Sequence, residues 1–179
     1  MRSTFCTILA VLSFAGTAHA FDLQSSDVSE GGTLKPDQVA NVFGCKGGNI
    51  SPALSWSDPP PGTKSFAVSL YDPDAPTGSG FWHWSAFDIP ATVTSLPRGA
   101  ASAGGTMPPG TIQSKGDAGI TGYTGACPPP GPAHHYVFTV KALKVEKLGL
   151  DASASGALIG FVTNGNKLGE AKITALYGQ

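Results

Sequence analysis

Past residue 20 the chain has three histidines, His83, His134 and His135, each beside an unusual segment. Imidazoles and carboxylates bind anions, move protons or ligate metals, so their surroundings are read first. Asp72-Pro73-Asp74-Ala75-Pro76 sets two carboxylates on a turn stiffened by two prolines. The same turn also fits plain capping, in which an aspartate accepts from its own backbone amides. In Trp82-His83-Trp84, strand alternation puts His83 opposite both tryptophans, so the tryptophans pack in one layer. A hydrogen-bonded structural histidine fits that pattern equally. The third segment, residues 122–136, holds Gly122, Tyr123, Gly125, Cys127, Pro128, Pro129 and Pro130 and closes on His134-His135-Tyr136. Its prolines fix an extended path, and its glycines let backbone approach a ligand closely. Backbone amides near Gly125 together with imidazole donors suit an anion. The segment also fits a rigid connector. His134 and Tyr136 share a face, and His135 points away.

These residues sit at the ends of elements that have to position them. Residues 65–71 alternate, with Phe66, Val68 and Leu70 on one face and Ala67, Ser69 and Tyr71 on the other. Residues 82–89 form an aromatic and apolar strand stopped by Pro90. Residues 136–145 alternate again and are rich in β-branched types, which favours a strand. Leu54 and Trp56 mark a short strand after Pro52, and residues 173–177 a last one. A helix follows Ser155, its N-cap, with Ala157, Leu158, Phe161 and Val162 at helical spacing and Asn164-Gly165-Asn166 at its end. Residues 107–118 lack periodicity and read as a surface loop. The sum is an all-β fold of packed sheets with one or two short helices.

Residues 1–20 read as a cleavable export segment. Arg2 gives the positive start, residues 5–15 the apolar run, and Ala18-His19-Ala20 the small-x-small cleavage pattern. A membrane anchor is the alternative, but a spanning helix needs about 20 apolar residues and this run is shorter. Residues 21–179 then form a single domain, with no internal repeat, dividing linker or further membrane segment. A domain of this size buries roughly 70% of its unfolded surface, enough to fold without a metal. With Arg2 removed, ten basic residues face twelve acidic ones. That balance argues against nucleic acid and against strong attraction to anionic membranes. The 24 glycines and 15 prolines demand many turns. Cys45 and Cys127 remain as an even pair in an exported chain, which reads as one disulfide, with two free thiols as the alternative.

Taken in order, these segments resemble the phosphatidylethanolamine-binding protein (Raf-kinase-inhibitor-like) family, in its exported bacterial branch. Asp72 to Pro76 is similar to the family's first signature. Gly125-Ala126-Cys127-Pro128-Pro129 through His134-His135-Tyr136 is similar to its second, with His135 where the family usually has arginine. Asn49-Ile50-Ser51-Pro52, with Leu54 and Trp56, and Ser155-Gly156-Ala157 extend the likeness. The resemblance implies two packed antiparallel sheets and a small anion pocket at one end. It implies a lining of Asp72, His83, Gly125, Pro128, His134 and Tyr136, with Asp74, Pro76, Trp82 and Tyr123 in support. It also supports pairing of Cys45 with Cys127.

The function so implied is non-enzymatic and needs no metal or cofactor. The protein would be periplasmic or secreted and would bind a phosphate-like or phosphoethanolamine-like anion. It could also modulate a partner enzyme such as a kinase or protease. Asp72 repels a bare anion, so its expected part is to orient or protonate a histidine or to accept from a ligand amine. Anion affinity should then rise as pH falls towards about 6. A rival reading is a small hydrolase or metal-dependent enzyme using Asp72, His83 and His134. Neither a GxSxG turn nor an HExxH helix supports it. A third reading is an extracellular protein-interaction module.

Overall fold

The computed structural model describes residues 20–179. Met1 to His19, and with them nearly all of the expected export segment, lie outside the described residues. Among the described residues, eight strands form two antiparallel sheets, with one α-helix near the C-terminus. The smaller sheet has the order β1-β2-β5, from Asp22–Gln24, Leu54–Ser57 and Ser95–Leu96. The larger has the order β6-β4-β3-β7-β8, from Ile112–Gln113, Phe81–Pro90, Ser65–Asp72, His134–Leu143 and Lys167–Tyr177.

Alternation along the central strands decides the packing. Phe66, Val68 and Leu70 of β3 join Trp84, Phe138 and Val140 in the main core. Leu23, Leu54, Trp56 and Leu96 of the smaller sheet complete that core, which therefore lies between the sheets. The opposite face of the larger sheet is covered by α1, Gly156–Asn166, where Ala67, Phe87, Leu143, Ala154 and Ile159 form a second cluster. Ser155 caps α1, its Oγ accepting from the Leu158 amide at 3.2 Å.

Besides the short strands β1 and β5, which were not expected, the elements differ from the sequence expectation in four places. β7 starts two residues earlier than expected, so His134 belongs to the strand. β8 starts at Lys167, directly after the helix, because its first residues pair with the far end of β7. The stretch 107–118 contains β6, whose Ile112 and Gln113 pair with Phe87 and Ala86. The fourth difference is a β-bulge in β4. Tyr71 pairs with Trp82 and Leu70 with Trp84, so His83 is the extra residue. The tryptophans consequently do not share a layer. Trp84 enters the main core, while Trp82 packs at 4.6 Å from the Tyr71 ring and beneath α1.

Cys45 and Cys127 form a disulfide across 82 residues of sequence. Closing a loop of that length stabilises the fold by about 4 kcal/mol on chain-entropy grounds. It fastens residues 41–48 to the segment that leads into β7.

Candidate functional site

Antiparallel register brings the chemical residues to one end of the larger sheet. β3 ends at Asp72, which pairs with Phe81 at the start of β4, and Tyr71 pairs with Val137 near the start of β7. Asp72, His83, His134 and Tyr136 therefore meet although up to 64 residues separate them in sequence. They line a cavity of about 210 Å³ together with Pro76, Gly125 and Pro128. Phe43, Ala75, Thr77, Phe81, Thr124, Cys127 and Pro129 complete the wall.

Both cavity imidazoles are held by Nδ1. His134 Nδ1 lies 2.8 Å from Asp72 Oδ2, and both residues are buried. A carboxylate only accepts, so Nδ1 carries the hydrogen. Asp72 Oδ1 accepts from the amides of Asp74 and Ala75 at 2.8 and 3.1 Å. One carboxylate thus caps the turn and hydrogen-bonds the histidine. His83 Nδ1 lies 3.2 and 3.1 Å from the carbonyls of Thr124 and Gly125 and must donate to them. Its ring is 4.8 Å from Phe81 and 5.3 Å from Tyr136. Burial pushes the His83 pKa down, and the nearby Asp72 charge only partly opposes this. Neutral His83 therefore carries its one hydrogen on Nδ1 and presents an Nε2 lone pair.

Tyr136 is fully buried. Burial, then the Asp72 charge, pushes its phenol well above the ordinary tyrosine range, so it keeps its proton. Its hydroxyl lies beside Asp72 without meeting hydrogen-bond geometry, and Thr124 Oγ1 is likewise buried without a partner. Unsatisfied buried hydroxyls are costly, and a polar ligand or water would satisfy them.

One expectation needs adjustment, and three of the supporting residues lie away from the lining. The amides near Gly125 are not free for an anion. Gly125 N donates to Asn49 Oδ1 at 2.8 Å, Thr124 N to the His83 carbonyl and Ala126 N to the Gln38 carbonyl. Gly125 is glycine because a Cβ would stand 2.3 Å from the Gln38 carbonyl, a contact with backbone rather than with a ligand. Tyr123 lies behind the cavity, wholly buried, its hydroxyl donating to the Gln38 carbonyl at 2.8 Å. Trp82 lies under α1, where Gly156 gives it room. Asp74 stands outside the lining and accepts from the amide and Nδ1 of His135, at 2.8 and 2.6 Å. That pairing holds the Asp74 carboxyl below its ordinary pKa.

Sequence reasoning missed Phe81 and Phe43. Phe81 was findable as the strand start preceding Trp82. Phe43 carries no local signal beyond its nearness to Cys45.

The phosphatidylethanolamine-binding protein family model matches residues 24–178. The chain belongs to that family. YbcL of Escherichia coli is 51% identical over 173 residues, 96% of this chain and 94% of that protein. YbhB of the same organism is 49% identical over 155 residues, 87% of this chain and 98% of YbhB. The crystal structure of E. coli YbcL, described as a member of the mammalian family, superposes with a TM-score of 0.87 at 52% identity. It covers 89% of this chain and 98% of that one. Among the described residues, no helix is long and apolar enough to cross a membrane. Nor does any group of three or more His, Cys, Asp and Glu among them suit a metal ion.

Proposed function

We propose that this family member is an exported, non-enzymatic binding protein whose cavity takes a phosphate-type anion, from a phospholipid head group or another phosphorylated ligand. One observation carries the reading: His83 and His134 line one cavity, and each spends Nδ1 on a protein acceptor. Each ring then has only Nε2 left for a ligand. A protonated imidazole donates there and adds charge attraction to phosphate oxygens. The protonated Tyr136 hydroxyl is a third donor. Asp72 holds the His134 ring in place through Nδ1. The disulfide and the small-x-small cleavage pattern support export. Modulation of a partner enzyme through the surface around the cavity belongs to the same proposal.

The cavity favours its anion more strongly as His83 gains a proton. Burial lowers the free histidine's pKa and an adjacent phosphate raises it, so affinity rises as pH falls between the bound and free values. The test is calorimetric titration of the oxidised protein with phosphate, phosphoethanolamine and a phosphotyrosine peptide, repeated with His134→Ala. Binding that strengthens from pH 8 to pH 6 and vanishes in the variant is expected. Equal binding by both proteins would sink the assignment.

A further inference from the structure

The cavity has two chemically different ends. Asp72, His83, His134 and Tyr136 are buried at its inner end. Phe43 and Pro129 are exposed at its outer end, with Phe81 half-buried between. A volume of about 210 Å³ holds more than the five heavy atoms of a phosphate. What lies beyond the phosphorus therefore meets an apolar mouth.

Phe43 is the odd residue of that mouth. It is 68% exposed, so core packing does not account for it. Its φ is 57°, in the left-handed region that bulky side chains rarely adopt. The short loop around it imposes the conformation. Gly47 N donates to the Ala40 carbonyl at 2.8 Å and Cys45 N to the Val42 carbonyl at 3.1 Å. The disulfide then ties Cys45 to Cys127, itself a lining residue, and the Phe43 carbonyl lies 3.8 Å from Cys127 Sγ. A cross-linked loop thus fixes the backbone that carries Phe43 at the opening. Such rigidity lowers the ordering cost of a ligand contact.

We infer that Phe43 is a specificity residue, selecting phosphate monoesters that carry a flat apolar group over bare phosphate. The inference rests on the anion-pocket reading and names the class of ester the pocket prefers. The inner end holds the phosphate, and Phe43 with Phe81 and Pro129 stacks on the substituent. An aromatic contact of this kind is worth roughly three- to tenfold in affinity.

The experiment is calorimetric titration of the oxidised protein with inorganic phosphate and with phenyl phosphate, on the wild type, Phe43→Ala and Phe43→Tyr. Phe43 is on the surface, so both variants should fold. The expected result is phenyl phosphate binding about three- to tenfold tighter than phosphate in the wild type and Phe43→Tyr. In Phe43→Ala the two affinities should converge to within about twofold. Equal affinity of the wild type for both probes overturns the inference, as does an undiminished preference in Phe43→Ala, and either leaves the anion pocket standing. Failure of the wild type to bind either probe overturns the anion pocket itself, and this inference with it.

Discussion

Two aspartate–histidine pairs stand side by side in this protein and behave differently. Asp72 and His134 meet at 2.8 Å, buried, on the wall of the cavity. Asp74 and His135 meet at 2.6 Å, with about half of each side chain in solvent. The residue types are the same and the positions differ by two and by one. The separation comes from strand alternation. His134 points into the fold, and His135 points out. Chemistry that depends on low dielectric and fixed orientation belongs to the inner pair alone. The outer pair is a surface contact, screened by water and salt.

Removing the acids one at a time should break the comparison most visibly. Asp72→Ala strands His134 Nδ1 and the amides of Asp74 and Ala75, so the loss should be about 3 kcal/mol. Asp74→Ala should cost less than about 1 kcal/mol. Urea unfolding of both variants measures the difference, and equal losses would mean that burial does not separate the pairs.

A smaller effect concerns pH. The folded-state pKa of His83 lies below its unfolded value, so the unfolded chain binds more protons once pH falls under about 6.5. Stability should therefore be unaffected by His83 above that pH. Below it, the protein should lose up to about 1.4 kcal/mol per pH unit until the folded pKa is reached. Asp74 titrates lower. Its depressed pKa gives a small stabilisation above the unfolded value that is lost as pH falls through the folded one. Unfolding midpoints at pH 7.5 and 5.5, with and without saturating phosphate, test the His83 part. Phosphate should shrink the loss, because the imidazolium gains a counter-ion.

The smallest expected effect is at His135, where the family usually has arginine. His135→Arg leaves Asp74 a hydrogen-bond donor on an exposed strand position. Stability should change by less than about 0.5 kcal/mol and phosphate affinity by less than twofold. A large change in affinity would show that the outer pair reaches the cavity after all.

Much of this was legible in the chain. The alternation of residues 65–71 gave β3 and its core face, and Ser155 marked the start of α1. The placing of His134 and Tyr136 on one face and His135 on the other follows from a period of two. The His83 bulge was not legible, because a bulge is a mismatch between two strands and belongs to neither alone. It brings His83 to the same side as Trp84 and leaves Trp82 under the helix. The occupied amides around Gly125 escaped for a similar reason. Their acceptors, Gln38, Asn49 and His83, come from distant segments. Phe43 escaped because nothing local marks a residue whose position is set by a cross-link.

The sequence by itself determined the long central strands, the turn at Asp72, the inward or outward sense of neighbouring histidines and most of the residues that could do chemistry. These follow from short-range sterics and from periodicity, which adjacent residues carry. Only the tertiary structure decided that Asp72 would hold His134, that His83 would spend its hydrogen on two carbonyls, and that an aromatic ring would stand at the mouth. Each of these depends on strand order, register or a disulfide. Contacts between segments tens of residues apart are set by how the sheets pair and pack, and no local pattern contains them.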